Sequence, residues 1–193
     1  LRPQLFMKKF LAKIWYAAFG WTFKTDDATL EKSTHCVMIA APHTSNWDFP
    51  FAILGFWLKG LNLKFFIKDS YTNPFLIGGI FRWMGALGVD RSKRNNLVEH
   101  SVELLKSNKK LVILVPAEGT RSRVEKWRKG FYQIAVQAEV PITLGYLDFK
   151  KKEAGLGPVV YPTGDFEKDM QIIEDFYRHI TGKNPENHNP KIF

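Results

Sequence analysis

Short apolar runs alternate along the chain with longer stretches in which apolar positions recur every three or four residues. Cys36–Ala41, Leu63–Lys68, Leu111–Val115 and Pro141–Leu147 are rich in Val, Ile, Leu or Phe and read as strands. Between them the spacing predicts helices at about Phe49–Leu58, Pro74–Met84, Arg94–Ser107 and Gly130–Ala138. A last helix, about Phe166 to Thr181, places Phe166, Met170, Ile173 and Tyr177 on one face, with Gly182 at its C-terminal stop. Strands alternating with helices imply βαβ units. The expected fold is α/β, a mostly parallel sheet covered by helices. No internal repeat, low-complexity tract or Pro/Gly-rich linker divides it.

Residues 1–24 follow a different pattern. They contain Arg2, Lys8, Lys9, Lys13 and Lys24 and no acid. On a helical wheel of about 100° per residue, Phe6, Phe10, Ile14, Ala17 and Trp21 form one stripe, with Leu11, Trp15 and Ala18 beside it. Lys9, Lys13, Tyr16 and Gly20 fall opposite. This predicts an N-terminal amphipathic helix lying in the headgroup region of an anionic membrane surface. The alternative is a helix packed on the protein's own core or on a second copy. The expected organisation is this helix over 1–24 and one α/β domain over 25–193.

Composition narrows the partners. At 193 residues and 22.3 kDa, with 45% hydrophobic and 24% charged residues, the chain suits one globular domain and excludes a disordered or collagen-like protein. A single cysteine cannot form an intramolecular disulfide and points to a reducing compartment. The longest run free of Asp, Glu, Lys and Arg, Ser33–Trp47, has 15 residues and is too short to span a bilayer. The net charge of +9 draws the protein to polyanions: nucleic acid, anionic headgroups or phosphorylated substrates. The 16 Phe, 6 Trp and 6 Tyr fit base stacking and membrane interfaces alike.

In parallel α/β sheets, ligands gather beyond the carboxyl ends of the strands, so polar residues just after the apolar runs matter most. His43 follows the run Cys36–Ala41, and Asp48 lies five residues on. If the loop turns straight into a helix, the carboxylate orients one ring nitrogen while the other takes a proton. This is the base and orienter of a triad without its nucleophile, so the substrate would bring its own hydroxyl. The alternative for Asp48 is a helix N-cap, because Pro50 suits an early helical position. A second loop, Glu118-Gly119-Thr120-Arg121, follows Leu111–Val115 and offers a close backbone approach, a hydroxyl and a planar fork for phosphate. A turn at Gly88-Val89-Asp90-Arg91 adds Arg91. The alternatives are surface ion pairs, Glu118 with Arg121 and Asp90 with Arg91. No group has metal-ligand spacing, so no metal site is expected. There is no P-loop, no G-x-G-x-x-G and no G-x-S-x-G elbow.

The order His43-x4-Asp48, Gly88-x-x-Arg91, Glu118-Gly119-Thr120-Arg121 and Val140-Pro141-Ile142 resembles the glycerolipid acyltransferase family, the PlsC-like enzymes that acylate glycerol-3-phosphate or lysophosphatidic acid. The resemblance spans about residues 36–147 and is closest to short bacterial members. It implies that His43 is the general base and Asp48 its orienter, and that Arg91, Glu118, Gly119, Thr120 and Arg121 bind the acceptor's phosphate or polar head. It implies acyl-CoA or acyl-carrier protein as co-substrate, no other cofactor, and a lysophospholipid acceptor, lysophosphatidic acid first. It also implies a peripheral place at the cytoplasmic face of the inner membrane. The family usually has Asn where this chain has Pro42, Pro where it has Ala117, and often a second Pro where it has Leu144. Two alternatives stand beside this reading: a lipid- or carrier-protein-binding module without turnover, and a nucleic-acid-binding domain.

Overall fold

The computed structural model describes residues 2–89 and 97–193. Among these, the strands are β1 (Thr22–Lys24), β2 (Cys36–Ala41), β3 (Leu63–Lys68), β4 (Ala86–Val89), β5 (Val112–Val115), β6 (Ile142–Asp148) and β7 (Glu153–Val160). The helices are α1 (Arg2–Phe19), α2 (Asp27–Lys32), α3 (Asp48–Lys59), α4 (Asp69–Thr72), α5 (Phe75–Met84), α6 (Leu97–Ser107), α7 (Gly130–Ala138) and α8 (Phe166–Tyr177). The strands form one sheet in the order β1-β7-β6-β2-β5-β3-β4. Strands β2 to β6 run parallel, β7 returns antiparallel to β6, and β1 pairs parallel with β7. The fold is α/β with a mostly parallel sheet, as the alternation of patterns predicts.

Strand β2 is central and buried on both faces, which is why it reads as an unbroken apolar run. Its Val37 and Ile39 pack against Leu105 of α6, Phe131 and Ile134 of α7, and Met170 and Ile173 of α8. Cys36 and Met38 face the other way, toward Ile53, Phe56 and Trp57 of α3. Fully burying such a side chain contributes about 1.5–3 kcal/mol, so the two layers hold the sheet from both sides.

Three strands escape the sequence reading. Gly88-Val89, taken there as part of a turn, ends β4. The glycine is forced by packing, because a Cβ at Gly88 would collide with the Thr72 hydroxyl. Strand β7 contains Gly155, Gly157 and Pro158, residues that normally interrupt strands. At Gly155 a Cβ would lie 2.5 Å from the Lys24 carbonyl oxygen and 2.7 Å from the Tyr146 ring, so close strand packing demands the glycine. β1 is three residues long and carries no pattern. The last helix stops at Tyr177, earlier than predicted, and Gly182 is not its C-cap. The start of the helix predicted over Arg94–Ser107 lies outside the described residues.

Helix α1 packs on α3 with the side that the helical wheel marks as polar. Ala12 and Tyr16 are buried, and the Tyr16 hydroxyl donates to the Phe51 carbonyl oxygen at 2.8 Å. The expected apolar stripe points away from the protein, leaving Phe6 74% exposed and Phe10 and Ile14 exposed as well. Trp21 lies beyond the helix end and turns back to stack on Phe51, ring centroids 4.1 Å apart. Among the described residues no helix is long and apolar enough to cross a membrane.

The close approach of α1, α3 and β1 depends on Gly55. A Cβ there would lie 2.6 Å from the Phe23 ring and 2.7 Å from the Tyr16 hydroxyl. Gly55→Val is therefore expected to destabilise the protein by about 1–3 kcal/mol through overpacking. Urea unfolding measures this, and an unchanged midpoint would contradict the contact.

Candidate active site

Strands β2 and β5 are parallel neighbours in register, Ile39 opposite Val115. Their carboxyl ends therefore release the His43 and Glu118 loops side by side at one edge of the sheet. The bond from Ala41 to Pro42 is cis. The chain then turns through His43, Thr44 and Ser45 and enters α3 at Asp48.

Asp48 is the hub of this turn. Its Oδ2 accepts the Thr44 amide at 2.8 Å and the Ser45 amide at 2.9 Å, and lies 3.1 Å from His43 Nδ1. The helix N-cap is Trp47, not Asp48. Asp48 thus caps the loop before it rather than the helix after it. Because a carboxylate oxygen can only accept, His43 Nδ1 carries the proton of the pair, and Nε2 presents a lone pair. The His43 side chain is 27% exposed and that of Asp48 6%. The imidazole can therefore meet a substrate while its orienter stays dry.

Glu118 turns inward, its Oε1 accepting the His43 amide at 3.0 Å. The surface ion pair with Arg121 is not what its carboxylate makes. Burial pushes the Glu118 carboxyl up to about 7; the His43 amide and ring oppose this more weakly, and nearby Asp48 adds to it. Its Oε2 and Asp48 Oδ1 are both buried and take no hydrogen bond among the described residues.

Gly119, Thr120 and Arg121 continue the same loop and are exposed. Gly119 has a φ of +70°, which favours glycine, and a Cβ there would lie 2.5 Å from Arg128 Nε. The structure thus joins His43, Asp48 and Glu118 by hydrogen bonds and sets Gly119, Thr120 and Arg121 on the adjoining rim. Arg91 lies outside the described residues. Sequence reasoning missed the Thr44 and Ser45 amides, since main-chain donors carry no residue-type signal. It also missed Arg128, whose closeness to Gly119 is tertiary. Among the described residues no group of three His, Cys, Asp or Glu could hold a metal ion.

The buried Glu118 gives a pH signature. A carboxyl raised from 4.5 to about 7 favours the folded state at low pH, and this contribution is lost as pH rises through that window. At about 1.36 kcal/mol per tenfold change in proton affinity, the loss approaches about 3 kcal/mol. Glu118→Gln keeps the acceptor for His43 and removes the titration. Its stability relative to the parent should rise between pH 4.5 and 7. Denaturant midpoints across that range test this, and a constant difference would refute it.

A family model described as Acyltransferase matches residues 23–143, more than half of the chain. That span contains His43, Asp48 and the Glu118–Arg121 loop. Among solved structures, the fold is similar to the crystal structure of the 1-acyl-sn-glycerophosphate acyltransferase PlsC from Thermotoga maritima. The TM-score is 0.64 at 20% identity, covering 90% of this chain and 77% of that one. No curated protein matches the sequence. The matched span covers both loops at the carboxyl edge together with the strands that present them, and the chain belongs to the Acyltransferase family and is an acyltransferase enzyme.

Proposed function

We propose that the protein transfers a fatty acyl group from a thioester, acyl-CoA or acyl-carrier protein, to the hydroxyl of a lysophospholipid or glycerol-phosphate acceptor. Lysophosphatidic acid is the first candidate acceptor, supported by the substrate named for the Thermotoga maritima enzyme. The observation that carries the reading is the His43–Asp48 pair, set 3.1 Å apart at the carboxyl edge of the sheet.

His43 Nε2 takes the proton from the acceptor hydroxyl as its oxygen attacks the thioester carbonyl carbon. Asp48 holds the ring and stabilises the imidazolium. The tetrahedral intermediate collapses, the C–S bond breaks, and the thiol leaves with the proton returned from His43. Written this way, atoms and charges balance without a metal or a redox cofactor. Arg121, with Gly119 and Thr120 on the rim and Arg91 beyond β4, supplies the positive charge that an acceptor phosphate requires. Glu118, engaged with the His43 amide, shapes the loop rather than meeting that phosphate.

The exposed apolar surface supports a peripheral place on an anionic bilayer, for which the cytoplasmic face of the inner membrane is our proposal. Besides the α1 stripe, α5 leaves Phe75 91% exposed with Ile77 and Ile80, and Tyr71 lies nearby in α4. A soluble monomer rarely displays patches of this kind. Lys13, exposed on α1, complements anionic headgroups, while Lys8 is engaged within the protein, donating to the Trp83 carbonyl oxygen at 2.8 Å.

Two measurements test these readings. Thiol release from palmitoyl-CoA should depend on lysophosphatidic acid or a related acceptor, and His43→Ala should lower it by about 10²–10⁴-fold. Undiminished turnover in that variant would sink the mechanism. For the membrane, the protein should co-sediment with phosphatidylglycerol vesicles at low salt. Phe10→Asp with Ile14→Asp should weaken that binding about tenfold or more without changing Tm. Binding indifferent to both substitutions would remove α1 from the interface.

A further inference from the structure

Beyond the two loops at the carboxyl edge, a third segment reaches the candidate active site from far along the chain. After α8 the backbone crosses the end of the sheet, where the Phe149 amide donates to the Thr181 carbonyl oxygen at 2.9 Å. Gly182 then packs against the His43 loop. A Cβ there would lie 2.8 Å from Thr44 Oγ1 and 3.3 Å from Pro42 Cβ, so the approach requires glycine. Two residues on, the Asn184 amide donates to Thr44 Oγ1 at 3.2 Å and its side-chain Nδ2 to the Thr44 carbonyl oxygen at 2.9 Å.

Thr44 is only 2% exposed and is held from both sides. Asp48 takes its amide, while Asn184 engages its carbonyl and hydroxyl. The tail is fastened downstream as well. The His188 carbonyl oxygen accepts Arg123 Nη1 at 2.6 Å, Asn189 Nδ2 donates to the Val124 carbonyl oxygen at 2.9 Å, and Trp127 donates its amide to the Ile192 carbonyl oxygen at 2.9 Å. Residues 181–192 therefore strap the His43 loop to the stretch that follows Arg121. Asn184 lies beyond the residues 23–143 that the family model matches, so nothing in that match assigns it a role.

We propose that Asn184 is a positioning residue for acyl transfer: by fixing Thr44 it holds the turn that aims His43 at the acceptor hydroxyl. The inference rests on the acyl-transfer reading above. Asp48 alone can fix the amide side of Thr44, but a loop tied on one side can still rotate about that tie. Tying its carbonyl and hydroxyl to a second segment removes that freedom, and a displacement near 1 Å costs about 10²-fold in rate where a base must meet its proton.

The decisive variant is Asn184→Asp. It keeps the shape and the main-chain bond to Thr44 Oγ1, but sets a carboxylate oxygen, which cannot donate, against the Thr44 carbonyl. With the full chain, kcat should fall by about 10–100-fold while KM for the thioester changes by less than about twofold. Asn184→Ala should behave alike. Amide hydrogen exchange at residues 43–48 should quicken in both, with Tm little changed. A kcat equal to the parent's, in a preparation where His43→Ala is inactive, would overturn the role of Asn184 and leave the acyl-transfer reading intact. Loss of folded protein with an unchanged kcat per folded molecule would equally overturn it, marking Asn184 as merely structural. If the parent transfers no acyl group, the functional reading fails separately. Unchanged exchange at 43–48 would then dismiss the strap as well.

Discussion

Three donors converge on Oδ2 of Asp48: His43 Nδ1 at 3.1 Å, the Thr44 amide at 2.8 Å and the Ser45 amide at 2.9 Å. The candidate active site depends on this one oxygen. It folds the loop back on itself within seven residues of the strand end and fixes the tautomer of the imidazole. Since Asp48 is also the first residue of α3, the helix that buries Ile53, Phe56 and Trp57 under the sheet anchors the orienter as well. Packing of the core and placement of the His43 imidazole are therefore mechanically coupled. The low-dielectric setting strengthens every one of these bonds and makes each hard to lose singly.

A second carboxyl works from the neighbouring strand. Glu118 reaches the His43 amide because β2 and β5 are parallel and in register, so that their loops leave the sheet together. It sits buried beside Asp48, and two acids so close cannot both carry charge without mutual cost. The rise of the Glu118 carboxyl to about 7 is the response to that burial and crowding. The surrounding chain, by contrast, is strongly basic, at +9 overall. The acidic pair is thus enclosed while cationic side chains such as Arg121 stand exposed on the rim.

Much of the architecture was legible in the residues. The four strands read from apolar runs appear with bounds within a residue or so, because strands buried in a parallel sheet must be apolar on both faces. The loops bearing His43 and Glu118 were legible for the same reason, since an apolar run has an end. β4 and β7 were not. Gly88 read as part of a turn, and glycines and Pro158 normally interrupt strands, yet Gly88 and Gly155 are there because Thr72, Lys24 and Tyr146 leave no room for a Cβ. Helix α1 shows the other limit: its wheel marks Tyr16 as polar, while the structure buries the ring and spends the hydroxyl on Phe51.

Periodicity and residue type are local properties, and they suffice for the α/β class, the amphipathic first helix, and the order in which chemistry-bearing residues follow strand ends. Packing in three dimensions sets which side of α1 meets the protein, makes Asp48 cap its own loop, and brings Glu118 to the His43 amide. It alone brought Asn184 to Thr44, 140 residues away in the chain. Such contacts are made by main-chain donors and by the steric allowance of glycine. Neither leaves a pattern along a sequence; both follow from which segments the core packing brings together.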